Sequence, residues 1–239
     1  MVPGGVKEQA GQCLKNIKAI VESIDVPLDD IVRMTVFVKN LSDVAAVDEV
    51  YKTFFPDTGI ARTAGYYPAR TIVQVANLPM YALVQMEAVV SHGDGTPPQA
   101  VEDRHGLIIE PNNTDKAPKI PLATQTVAFS HYNHVSAQLG IDPGSGKMVA
   151  GGVKEQAGQC LKNIKAIVES IGHSMADVVK INLAVRNIAD MGAVDAVYTT
   201  FFPGGVPARR TVGVSALPQD ALIQIDAVLS NAEGTPPAK

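Results

Sequence analysis

Two arginines stand out among the residues able to do chemistry. Arg209 follows Pro207-Ala208 and Arg70 follows Pro68-Ala69, so the tripeptide Pro-Ala-Arg occurs twice in 239 residues. An arginine held at the start of a strand presents a planar, permanently charged fork that can grip a carboxylate. The same placement also serves an ordinary surface salt bridge. Recurrence favours a shared task, although common ancestry alone would repeat it. Other reactive groups are less suggestive. Cys13 and Cys160 stand in register with Leu and Ile on helical faces, where a thiol packs as a small hydrophobe. His131 and His134 are the only close pair among five histidines. They have no Cys or carboxylate at ligand spacing, so no metal site is expected. The stretch Gly140–Lys147 is like a phosphate loop only superficially. Ile141 stands where its first glycine belongs, and Met148 replaces the hydroxyl residue that would hold magnesium. There is no signature of a Ser-His-Asp or Cys-His nucleophile.

The arginines belong to a repeated unit. Gly4–Ile24 and Gly151–Ile171 are identical over 21 residues, at an offset of 147. Tyr51 and Phe54-Phe55-Pro56 fall on Tyr198 and Phe201-Phe202-Pro203. Leu78-Pro79 matches Leu217-Pro218, and Gly95-Thr96-Pro97-Pro98 matches Gly234-Thr235-Pro236-Pro237. Two copies are too few for a solenoid. The reading is one unit over residues 1–98 that lacks its opening strands, a polar linker at 99–106, and a complete unit over 107–239. Met1 aligns with Met148, an internal position of the second copy, so a hairpin preceding Met1 would complete the first.

In the second copy the elements follow from periodicity. Leu107–Ile109, Thr126–Phe129 and His134–Leu139 are short strand-like runs, with a hairpin turn expected at Ser130–Asn133 and a loop at Pro143–Gly146. Val153, Ala157, Cys160, Leu161, Ile164, Ile167, Val168 and Ile171 recur at helical spacing, and Gly172 is a natural stop. Val178–Val185 is β-branched and strand-like. A second helix is expected over Asp190–Phe201, ended by Pro203. Ala208–Val214 and Ala221–Leu229 are the last strands. The order implies an α+β unit with two helices on one face of a mixed sheet, present as two tandem copies.

Composition narrows the function. A net charge of −4, from 20 Lys+Arg against 24 Asp+Glu, leans against nucleic acid, as do 5% aromatics and no Trp. No apolar run approaches the ~18 residues of a membrane span. The first residues show no secretory leader pattern. Two cysteines are too few for a disulfide scaffold, which fits a reducing, cytoplasmic setting.

Together these motifs resemble the reactive intermediate deaminase (Rid) family, also called YjgF-like or L-PSP endoribonuclease. Thr114-Asp115-Lys116-Ala117-Pro118 is similar to its T-x-x-A-P. Val135-Ser136-Ala137-Gln138 with Gly140-Ile141-Asp142-Pro143 is similar to V-S-G-Q-x-G-x-D-P. The helix carrying Gln156 and Asn163 resembles E-Q-x-x-x-x-L-x-N-I. Pro207–Val212 with Leu217-Pro218 resembles P-A-R-[ST]-x-V followed by A-L-P. The resemblance covers nearly all of the second copy and the C-terminal two-thirds of the unit in the first. It implies a chorismate-mutase-like fold, a trimer with clefts between units, and hydrolysis of enamines and imines such as 2-aminoacrylate and 2-iminobutanoate without a cofactor or metal. It gives the carboxylate anchor to Arg209, with Ser136 and Thr211 beside it, Ala137 in the binding wall and Arg70 as the repeat.

The sequence departs from the pattern at several pocket positions. The family's pocket Tyr is Ala123, the Gly of S-G-Q is Ala137, and the first Glu of I-E-I-E is Gln224, or Gln85 in the first copy. The Asn before the second helix's V-Y is Asp195, or Asp48 in the first copy. The expectation is that Asp195 and Gln224 order the attacking water, with the acid moved to the other wall. The first copy lacks a strand bearing a Ser136 equivalent. Residues 107–140 could pair with either copy, and the edge left open is expected to be covered by another unit. Two further readings remain. One is a small-carboxylate-binding regulator that keeps the arginine clamp. The other is a ribonuclease or translation inhibitor, which the acidic balance disfavours.

Overall fold

Each copy builds the same β-sheet, but to a different width. The computed structural model describes residues 2–55, 66–90, 109–129 and 132–230. The linker expected at 99–106, the start of the apolar run at 107, and residues 130 and 131 of the expected turn lie outside the described residues. The first copy supplies α1 (Val6–Glu22), β1 (Ile31–Val38), α2 (Val44–Tyr51), β2 (Ala69–Gln74) and β3 (Val84–Val90). These strands form a three-stranded sheet in the order β2-β1-β3. The second part supplies β4 (Ile109–Asn112), β5 (Thr126–Phe129), β6 (Tyr132–Leu139), α3 (Val153–Ser170), β7 (Val178–Val185), α4 (Met191–Phe201), β8 (Ala208–Gly213) and β9 (Ile223–Ser230). Its sheet has six strands in the order β4-β5-β6-β9-β7-β8.

The shared part of the two sheets superposes in register. β1 runs parallel to β2 with Met34 opposite Arg70, and β7 runs parallel to β8 with Ile181 opposite Arg209. A parallel pair needs a crossover, and α2 and α4 are the helices within these connections. β4 pairs with β5, β5 with β6 and β6 with β9, so these strands join the second sheet and leave the outer edge of β3 without a strand among the described residues. Tyr132 and Asn133, expected in a turn, belong to β6. Tyr132 pairs with Phe129, so the ladder continues closer to the turn than the polar residues suggested.

Helices cover one face of each sheet because the periodic apolar residues demand it. Ala157, Cys160, Leu161, Ile164 and Ile167 of α3 meet Ile181, Leu183, Ile223, Ile225 and Ala227 in one core. In the first copy Leu14 and Val21 of α1 pack with Ile31, Met34, Tyr51 and Phe55. Gly140, after β6, passes directly under α3. A Cβ there would lie 2.7 Å from the Cα of Gln156, so no larger residue fits without displacing the helix. The helix amides also serve packing. Gln156 Oε1 accepts from the backbone N–H of Leu222 at 2.8 Å, as Gln9 accepts from Leu83 at 2.9 Å.

The other faces of the two sheets meet each other. Val32, Ala69 and Val127 make one apolar patch of this joint, and Val73, Ala184, Leu217 and Ala221 make another. Between the patches lies a charged bond. Arg33 Nη2 donates to Asp226 Oδ1 at 2.8 Å, with both side chains buried. Asp226 also accepts from Asn182 at 2.7 Å and from the Thr71 hydroxyl at 3.1 Å. This double burial explains why both faces of β9 are covered although its side chains alternate between apolar and polar.

Candidate functional site

A cavity of about 560 Å³ opens where the two copies meet. The first copy contributes Asp48 and Ile72, and the second contributes Ala137, Gln138, Leu139 and Gln224. Pro118, Ile120 and Pro121 form an apolar wall. That wall is pinned by the buried Gln125, whose Nε2 donates to the carbonyls of Thr114, Ala117 and Pro118 at 3.1, 2.9 and 3.1 Å. The rim includes Gln219 and Asp220, at φ of 56° and 54°, a left-handed turn held by the surrounding packing.

Arg70 supplies the buried positive charge of the cavity, and Lys119, exposed and paired with Asp115, is a second cation in its lining. Strand β2 places Arg70, and its guanidinium carbon lies 4.3 Å from the centre of the Tyr51 ring. Its Nη2 approaches Asp48 Oδ1 to 2.7 Å, but the contact lacks hydrogen-bond alignment, and Nε too has no hydrogen-bond partner among the described residues. A buried guanidinium with unspent donors is costly unless another acceptor joins it. Burial pushes the Tyr51 phenol up, with Arg70 partly opposing the shift, so it stays neutral beneath the charge.

Ser136 touches the same arginine through the main chain. Its hydroxyl oxygen accepts from the backbone N–H of Arg70 at 2.8 Å and donates to the carbonyl of Thr124 at 2.6 Å. Both bonds are buried. The hydroxyl therefore clamps β2 of one copy onto β6 of the other and has no proton left for a substrate.

The structure thus brings together Arg70, Ser136, Ala137 and Gln224, and separates Arg209, Asp195 and Thr211 from them. Arg209 lies on the edge strand β8, bonded to Asp195 with its guanidinium carbon 5.0 Å from the Tyr198 ring centre. Two strands stand between β8 and β6, a separation of roughly 14 Å at normal strand spacing. Thr211 shares that edge. Within the chain Arg209 and Ser136 are not brought together, because the arginine and the serine of one copy stand on strands separated by β9 and β7 in their own sheet. Each needs the neighbouring unit. Of the two equivalent aspartates, the one that lines the cavity is Asp48, the first-copy counterpart of Asp195. One sequence signal pointed this way: Pro68-Ala69-Arg70-Thr71 fits P-A-R-[ST], whereas Arg210 takes the Thr71 position in the second copy. Among the described residues no three His, Cys, Asp or Glu side chains gather as metal ligands, and no helix is long and apolar enough to cross a membrane.

The model of the family described as Endoribonuclease L-PSP matches the chain twice, over residues 1–92 and 117–230. The chain belongs to this family. Among relatives of this L-PSP family chain is the 2-iminobutanoate/2-iminopropanoate deaminase of Rattus norvegicus, 41% identical over 117 residues, which are 48% of this chain and 85% of that protein. A RutC family protein of Pyrococcus horikoshii is 39% identical over 116 residues, 48% of this chain and 92% of that protein. Among solved structures, the Rid family protein YyfA of Yersinia pestis aligns with a TM-score of 0.50 at 33% identity, covering 52% of this chain and 99% of that one. Yeast Mmf1 aligns with a TM-score of 0.50 at 26% identity over the same shares. Each relative spans about one unit, so the L-PSP fold occurs here in tandem, with α+β units of the Rid type.

Proposed function

We propose that the chain hydrolyses imine and enamine forms of small 2-oxo acids, such as 2-iminobutanoate and 2-aminoacrylate, to the 2-oxo acid and ammonia in the cavity between its two copies. One observation carries the reading: the Arg70 guanidinium, paired with Asp48, lines a largely apolar cavity between the two copies. A carboxylate is the acceptor that satisfies a planar fork in such a place. Relatives named imine deaminases support the reaction class. With the carboxylate on Arg70, the imine carbon is fixed near Asp48 and Gln224. Water adds to that carbon, the imine nitrogen takes up a proton, and the carbinolamine collapses with loss of ammonia. Asp48 carries a proton from the water to the departing nitrogen, and the Gln224 amide orients the water. Ser136 acts by holding Arg70 and needs no proton transfer of its own.

A second reading is a carboxylate-binding protein without turnover. It is favoured by the amide at Gln224 and by the fully engaged Ser136 hydroxyl. The deciding experiment couples a threonine or serine dehydratase to the chain and follows 2-oxo acid release. The deaminase reading expects acceleration by the wild type and its loss in Arg70→Ala, with Arg209→Ala near wild type. No acceleration, with retained carboxylate binding, selects the second reading. Activity that survives Arg70→Ala and falls in Arg209→Ala overturns the placement of the site.

A further inference from the structure

The cavity between the copies has two chemically different ends, one helical turn apart. On α2, Asp48 pairs with Arg70, and Val44 stands four residues earlier on the same side of the helix. On β2, Arg70, Ile72 and Gln74 alternate onto one face. A helix that links two parallel strands runs against them, so earlier residues of α2 lie beside later residues of β2. Val44, Ile72 and Leu41 accordingly pack on one apolar cluster, stay partly open and line the cavity. Gln74 holds this end in place, because its Oε1 accepts from the backbone N–H of Leu41 at 3.0 Å. The spacing of the two ends follows from both elements: a helical turn is about 5.4 Å and two strand residues are about 6.6 Å. Lys119 and Asp220, the other charged groups of the lining, are exposed. Ile120 and Leu139 of the second copy keep the interior apolar. The volume of about 560 Å³ is of the size that encloses drug-sized ligands, far more than a four-carbon imino acid occupies.

We propose that Val44 and Ile72 select the side chain of the substrate, and that the chain prefers 2-imino acids with butyl-sized or larger apolar side chains. This rests on the reading of Arg70 as the carboxylate anchor of the deaminase site. With the carboxylate on Arg70 and the imine carbon beside Asp48, the remaining substituent of that carbon runs along β2 toward Ile72. The ethyl group of 2-iminobutanoate stops short of the apolar end. A butyl or benzyl group spans the step and leaves water against Val44, Ile72 and Leu41. Each added methylene that does so tightens binding about three- to fourfold. A charged or amide-tipped side chain of the same length would bring an unpaired polar group to this end and is rejected.

The test titrates the full chain with 2-oxobutanoate, 2-oxopentanoate and 2-oxohexanoate, the stable oxo analogues of the imines, and reads dissociation constants from NMR chemical shifts. Affinity should rise about tenfold or more from the shortest acid to the longest. Val44→Phe fills the apolar end and Ile72→Ala strips it. In both variants the ratio of the two affinities should fall to about threefold or less. Thermal unfolding like that of the wild type confirms that both variants are folded. Equal affinities for the three acids, binding of none of them, or a ratio kept in both variants overturns the proposal. Turnover is followed in parallel on imines that an L-amino-acid oxidase releases from 2-aminobutanoate and norleucine. A steep rise in affinity without turnover removes the deaminase reading and leaves the selection of side-chain length standing. Turnover with equal affinities does the reverse.

Discussion

The backbone N–H of Arg70 and the hydroxyl of Ser136 are 2.8 Å apart, and they belong to different copies of the repeat. This bond fixes the first residue after Pro68-Ala69 against the strand of the neighbouring unit. It joins a charged side chain to a wall it could not reach within its own sheet. Ser136→Ala removes the acceptor of the Arg70 N–H and the donor to Thr124. A loss of about 1–3 kcal/mol in unfolding free energy is expected by urea titration. In the coupled assay KM should rise more than kcat falls, since the variant loosens the anchor and leaves the proton carrier in place.

The two equivalent aspartates provide an internal control. Asp48 faces the cavity beside Arg70, whereas Asp195 pairs with Arg209 at the open edge. Asp48→Ala should lower kcat by roughly 10²-fold or more, the usual scale for a lost proton carrier. Asp195→Ala should change it less than about twofold. Steady-state kinetics on the two variants check this directly, and equal effects would place the chemistry elsewhere.

The Arg33–Asp226 pair ties the copies together through the interior. Asp226→Asn leaves a buried guanidinium without its counter-charge, and a cost of about 3–5 kcal/mol is expected. Arg33→Met with Asp226→Asn removes both charges while keeping an acceptor for Asn182. This double variant should recover most of the loss, so a double-mutant cycle should show coupling on the order of 2 kcal/mol. Chemical denaturation of the four proteins measures it.

His134 makes the same interior sensitive to acid. It is buried, and desolvation, aided by the charge of Arg33, lowers its pKa to about 4 from an ordinary 6.5. As pH falls, the unfolded chain takes up the proton first. Stability from this residue is therefore complete above pH 6.5 and drains away between about 6.5 and 4. The loss should be on the order of 3 kcal/mol. Unfolding free energies across that window should fall less steeply in His134→Gln than in the wild type.

Much of this architecture was legible in the sequence, because local rules decide it. The apolar spacing from Val153 to Ile171 specifies α3, Gly172 ends it at a φ of 80°, and the β-branched run Val178–Val185 is β7. The duplicated stretch also exposes the repeat itself. The site was harder to read, because its two walls come from different copies. Arg209 and Ser136 belong to motifs of the same copy, yet β9 and β7 stand between their strands. Nothing local in β6 states whether its free face meets Arg70 or Arg209. That is decided by packing between sheets, where Thr71 suits Asp226 and Arg210 occupies the matching place on the exposed strand.

Joining the two walls of one cavity in a single polypeptide has a consequence for how the molecule responds to dilution. A site assembled from separate chains loses its halves as concentration falls. Here the partner wall is tethered, and its effective concentration stays on the order of millimolar or above whatever the concentration of the molecule. Tethering also breaks equivalence. A substitution at position 48 alters the cavity, while one at 195 leaves it untouched, so the two duplicated aspartates are free to drift toward different tasks.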